Sequence, residues 1–136
     1  MTKIPITLAA AALIATLSSA KANDTVGEFL RLCNGDRGDA GRVVCRYFTG
    51  GVGRQMFFTG AFAKKLRTYA DQQTMNIVAA CSDAAVTDSA MVQVFRNWAT
   101  SHPERWGDPA QAGINFALAQ TWQCFGLFPL TPESVK

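Results

Sequence analysis

The sequence predicts an all-α fold, a small four- to five-helix domain braced by disulfides. Three observations lead there. Apolar residues recur at helical spacing in four segments, capping and turn residues separate those segments, and the short chain carries an even number of cysteines.

The first segment runs from about Thr25 to Cys33, with Val26, Phe29, Leu30 and Cys33 at i, i+3, i+4 and i+7. The turn residues Asn34-Gly35-Asp36-Arg37-Gly38-Asp39 then interrupt it. A second helix begins near Ala40 and carries Val44, Tyr47, Phe48, Gly51 and Val52 on one face. Lys64 to Ala80 has no clear period; its charged start suits a solvated helix end, and Met75 to Val78 a short buried run. Thr87 or Asp88 caps a third helix bearing Met91, Phe95, Trp98 and His102, which ends where His102 precedes Pro103. Asp108-Pro109 reads as an N-cap and first position of a fourth helix, with Ile114, Ala117, Leu118 and Trp122 on its apolar side.

The N-terminus has the layout of a secretory signal peptide. Lys3 is followed by the uncharged run Ile4 to Leu17 and by the small-residue site Ala20-Lys21-Ala22. Residues 1–22 are therefore expected to be removed, leaving 23–136 as one exported domain. The apolar run is short of the roughly 20 residues a membrane span needs, so no stable membrane insertion is expected. The precursor carries 13 basic and 10 acidic side chains. Losing Lys3 and Lys21 brings the mature chain close to neutrality. That leaves no electrostatic case for nucleic acid.

An exported chain places Cys33, Cys45, Cys81 and Cys124 in an oxidising compartment, where an even count reads as disulfides. No two of them have the close spacing of a zinc site. Three pairings are open by count. A helical hairpin would join Cys33 at the end of the first helix to Cys45 in the first turns of the second. Antiparallel packing of the last two helices would bring Cys81 to Cys124.

The segment Cys45 to Gly60, CRYFTGGVGRQMFFTG, asks for a function. It has neither the G-x-x-x-x-G-K-[ST] pattern of a phosphate loop nor a strand ahead of it, and Arg46 and Arg54 interrupt any membrane span. Glycines inside a helix cost about 1 kcal/mol each against alanine, which suggests close approach of another surface. That surface is either the domain's own core, with Trp98, Trp106, Trp122 and the phenylalanines to fill the groove, or a partner.

Catalytic chemistry finds little to stand on. The single histidine, His102, sits at a helix end, and no free thiol is expected to pair with it. Glu28, Glu104 and Glu133 stand in no marked context, and Asp36 and Asp39 lack the rest of a calcium loop. The residues alone point to a non-enzymatic binding domain without a cofactor or metal.

One ordered set of residues goes further. Phe29-Leu30-x-Leu32-Cys33, Cys45-x-Tyr47-x-x-Gly50, Cys81 with Val86-Thr87, His102-Pro103-Glu104, Pro109-Ala110, Ala117-Leu118 and Trp122-x-Cys124 resembles the Rap/Tai family of type VI secretion immunity proteins. The resemblance spans about Thr25 to Cys124. It implies a small helical periplasmic protein, often a homodimer, that binds a papain-like peptidoglycan amidase effector and fills its substrate groove with a loop. Carried onto this chain, that loop is Glu104-Arg105-Trp106-Gly107-Asp108, with Glu104, Arg105, Trp106 and Asp108 as partner-binding residues. A tryptophan and an arginine flanked by carboxylates have the composition of an interface hot spot. The opposing reading makes the turn a plain connector with Trp106 in the core. Two other functions remain open: a periplasmic stress chaperone or envelope accessory protein, marked by broad client binding, and a small wall-acting enzyme, marked by dependence on one carboxylate.

Overall fold

The computed structural model describes residues 24–66 and 77–124. The expected signal peptide and the tail after Cys124 lie outside the described residues. The helices that lie wholly among the described residues are α1 (Val26–Asn34), α2 (Gly38–Leu66), α3 (Asp88–Ser101) and α4 (Ala110–Thr121), with a 3-10 turn, η1 (Pro103–Arg105), joining α3 to α4. The all-α expectation holds, with no strand among the described residues.

Local chemistry sets the boundaries. Thr25 and Glu28 make a capping box: the Glu28 N–H donates to the Thr25 hydroxyl oxygen, and the Thr25 N–H donates to the Glu28 carboxylate at 3.0 Å. Gly35 ends α1 at φ 94°, where a Cβ would be strained, and its N–H bonds back to the last turn. Thr87 caps α3 by accepting from the Ala90 N–H. The fourth helix starts one residue later than expected. Pro109 is its N-cap, and Asp108 accepts from Arg105 instead of capping.

α2 is the spine, 29 residues or about 44 Å long, and α1, α3 and α4 all pack on it. Phe29 lies at the centre, edge-on to both Phe48 (5.2 Å) and Phe95 (5.5 Å). Met91, Ile114, Leu118 and Val26 close the core around it. The disulfides are Cys33–Cys45, which clips the α1–α2 hairpin, and Cys81–Cys124, which ties the segment before α3 to the end of α4.

The glycine-rich stretch is a helix made thin for its own core. A Cβ on Gly53 would overlap the Met91 sulfur, and one on Gly60 would overlap the Ala80 carbonyl oxygen. The Gly60 position also sits against both sulfurs of Cys81–Cys124, 2.8 and 2.9 Å from where a Cβ would stand. The occupants are therefore a methionine, a carbonyl and a disulfide, while Trp98 and Trp106 take no part. Gly50 makes room for the Asp88 carboxylate, which pairs with Arg54 at 2.6 Å.

One expected face is corrected. Tyr47 and Gly51 point outward, with Tyr47 68 % exposed. The buried stripe runs through Gly41, Cys45, Thr49, Gly53, Met56 and Gly60 instead. The disulfide at Cys45 turns α2 so that this small-residue side meets the core.

Candidate functional site

The candidate site is the corner between α3 and α4, and it is built as the cap of α1. The first N–H groups of a helix have no partner within it. Here the Val26 N–H donates to the Asp108 carbonyl at 2.8 Å and the Gly27 N–H to the Trp106 carbonyl at 3.1 Å. In return the Ala110 N–H, at the start of α4, donates to the Asp24 carbonyl at 2.8 Å, and Thr25 and Pro109 form an antiparallel bridge. The corner is thus strapped to α1 by main-chain bonds on both sides.

Trp106 is neither buried nor loose. It is 44 % exposed, its indole N–H donates to the Ala99 carbonyl at 2.8 Å, and its ring base lies over Gly27, where a Cβ would come within 3.1 Å. A Cβ at position 27 would require Trp106 to give way by a few tenths of an ångström. Arg105 is more covered than its residue type suggested. Its Nε donates to Asp108 at 2.5 Å, and its guanidinium lies 5.0 Å from the Phe116 ring centre. Arg105 and Asp108 therefore neutralise each other and brace the turn. Trp106 and the exposed Glu104 are the parts of this group most open to a partner.

His102 belongs to the frame. Its ring stacks on Trp98 at 4.7 Å, and Nδ1 lies 2.8 Å from the Trp98 carbonyl oxygen. A carbonyl only accepts, so Nδ1 carries the proton. Trp98 in turn stacks on Phe116, the ring under Arg105. Nearby, Glu28 is held below the ordinary glutamate range, first by the Thr25 N–H, then by the Thr25 hydroxyl. Among the described residues no group of His, Cys, Asp and Glu side chains could hold a metal ion, and no helix is long and apolar enough to cross a membrane.

A second surface escaped the sequence reading. Val43, Tyr47, Phe58 and Phe62 stand exposed on the outer side of α2. The signal was present as a second apolar series opposite the first, and placing Tyr47 on the core face concealed it.

Fold and corner together define a disulfide-braced helical domain, with a strapped turn presenting a tryptophan. The family model of Rap1a immunity proteins matches residues 25–124. The chain belongs to that family. Comparison with curated proteins and with solved structures found no match. Membership points to a type VI secretion immunity protein whose partner is a toxin effector. The family is typically periplasmic, and two disulfides fit an oxidising compartment.

Proposed function

We propose that this protein acts in the periplasm as an immunity protein, binding a type VI peptidoglycan amidase effector and occluding its substrate groove with the corner Glu104 to Asp108. The observation that carries the reading is Trp106. A large ring left 44 % exposed yet held by its own N–H and by Gly27 loses little rotamer freedom on binding. Glu104 adds an exposed charge, while Arg105 and Asp108 hold the turn in shape. Protection is by binding alone, without catalysis.

The test is affinity capture of the tagged protein from periplasm exposed to a type VI-armed competitor, read by mass spectrometry. One dominant partner with a Cys-His amidase domain is expected, inhibited by the purified protein. A spread of unrelated envelope proteins would mark a chaperone instead and end this reading.

A further inference from the structure

We propose that a charged cavity along α1 and the α1–α2 turn is a binding site for a short zwitterionic peptide. The inference rests neither on the corner nor on any effector.

The cavity measures about 320 Å³ and is lined by Asp24, Glu28, Arg31, Leu32, Asp36 and Arg37. That volume is at the lower end of small-molecule sites, about 300–1,000 Å³. The lining is nearly all charge: three carboxylates and two guanidiniums beside one buried leucine. A ligand that complements it carries both signs.

Three observations carry the assignment. First, the charges here are uncommitted. Elsewhere Arg42 pairs with Asp39, Arg54 with Asp88 and Arg105 with Asp108, while Arg96 donates to Asn34. The side chains of Arg31, Arg37, Asp24 and Asp36 make no ion pair or hydrogen bond among the described residues, although they share one cavity. Opposite charges held apart around one space are bridged by a ligand with an ammonium at one end and a carboxylate at the other.

Second, part of the wall is set before a ligand arrives. The Thr25 N–H and hydroxyl donate to Oε2 of Glu28 at 3.0 and 3.1 Å, which leaves Oε1 open. In the turn, the Asp36 N–H donates to the Arg31 carbonyl at 3.1 Å and the Gly38 N–H to the Gly35 carbonyl at 2.8 Å. Groups fixed in advance lose little freedom on binding.

Third, the charges are spaced for a peptide. Asp24 and Glu28 stand at the start of α1, and Arg31 and Arg37 toward and beyond its end. At 1.5 Å per residue, Arg31 is about 4.5 Å from Glu28 along the axis, and the last turn about 9 Å. Two or three extended residues span about 7–11 Å. The α-ammonium then meets Asp24 and Glu28, and the α-carboxylate meets the arginines, whose forked donors suit it. Three carboxylates against two guanidiniums leave one negative charge over, so a peptide with one further amine is favoured.

The experiment is an NMR titration of the chain purified from the periplasm, at physiological salt, with the tripeptide Gly-Lys-Gly. Saturable amide shifts centred on residues 24–37 are expected, with a Kd of about 1 mM or below. Acetylating the amine or amidating the carboxylate should each weaken binding about ten-fold, the worth of one charge-assisted bond, and Gly-Glu-Gly should bind more weakly than Gly-Lys-Gly. Arg31→Gln and Arg37→Gln should each erase the preference for a free carboxylate, and Asp24→Asn the preference for a free amine. Unchanged core resonances check that these exposed substitutions leave the fold intact. No saturable shift at 10-fold the expected Kd overturns the site, as does equal binding of the free and blocked peptides. Variants that melt lower yet bind unchanged would assign these charges to the dipole of α1 alone and end the proposal.

Discussion

Trp106 has one side for the fold and one for solvent, and two substitutions separate them. Trp106→Ala removes the exposed ring and should weaken effector binding roughly 30-fold or more, the range of a hot spot of 2 kcal/mol. Trp106→Phe keeps most of the surface but loses the bond to the Ala99 carbonyl. It should cost about 0.5–1.5 kcal/mol in urea unfolding while retaining most of the binding. Equal binding loss in both variants would mean that placement of the ring by the Ala99 bond, and not its area, carries recognition. At Glu28 the Thr25 bonds favour the ionised form, so its folded pKa lies below the unfolded one. The stability this adds is complete above the ordinary glutamate range and is lost as pH falls through the lower folded value. Glu28→Gln should therefore flatten the acid limb of a melting-temperature profile. An unchanged limb would remove the capping box from the pH response.

At the scale of one helix, α2 gives two glycines opposite fates. Gly60 faces the Ala80 carbonyl oxygen and the Cys81–Cys124 sulfurs, none of which is the far end of a flexible side chain. Gly60→Ala should destabilise by about 1–3 kcal/mol, the usual cost of overpacking. Gly51 has open space, so Gly51→Ala should stabilise the protein by up to about 1 kcal/mol through helix propensity alone. Chemical denaturation of the two variants checks the contrast, and matching effects would mean that the thin face is not filled as described. The α1–α2 hairpin and the α3–α4 pair are each closed by a disulfide, across sequence separations of 12 and 43. Loop-closure entropy assigns about 3 kcal/mol to the first and about 4 to the second. Replacing Cys81 and Cys124 together by alanine should thus cost more than replacing Cys33 and Cys45. Urea midpoints in the reverse order would show that local packing, not loop length, governs their worth.

Across the whole molecule the corner and the exposed stripe of α2 are separate parts of one small domain. The corner packs on α1 and α3, whereas the Tyr47 stripe belongs to α2 alone. A domain of this size has about 5–15 kcal/mol in total, so both disulfides together are a large share of it. Reduction should lower the melting temperature sharply and release effector binding with it, because the corner is held by α1, and α1 is clipped to α2 through Cys33–Cys45. Binding that survives full reduction would show that the corner holds its shape without the braces.

The sequence by itself determined the helices, most of their caps and the Cys33–Cys45 clip, because these depend on near neighbours, whereas Cys81–Cys124 followed only once the last two helices were packed antiparallel. Thr25 with Glu28, Gly35, Thr87 and His102-Pro103 act within a few positions of themselves. Cys33 and Cys45 could be paired from one turn between two helices. The corner was legible as a location but not as a mechanism. Arg105 turned inward to Asp108 and Phe116, and the straps to α1 join residues some eighty positions apart. The rotation of α2 was also a tertiary decision. Both of its sides are apolar, so hydrophobic period alone leaves the choice between them open. Together with the Cys45 disulfide, the steric demand of Met91, the Ala80 carbonyl and the second disulfide for a surface without Cβ atoms turned the glycines inward and left Tyr47, Phe58 and Phe62 outside.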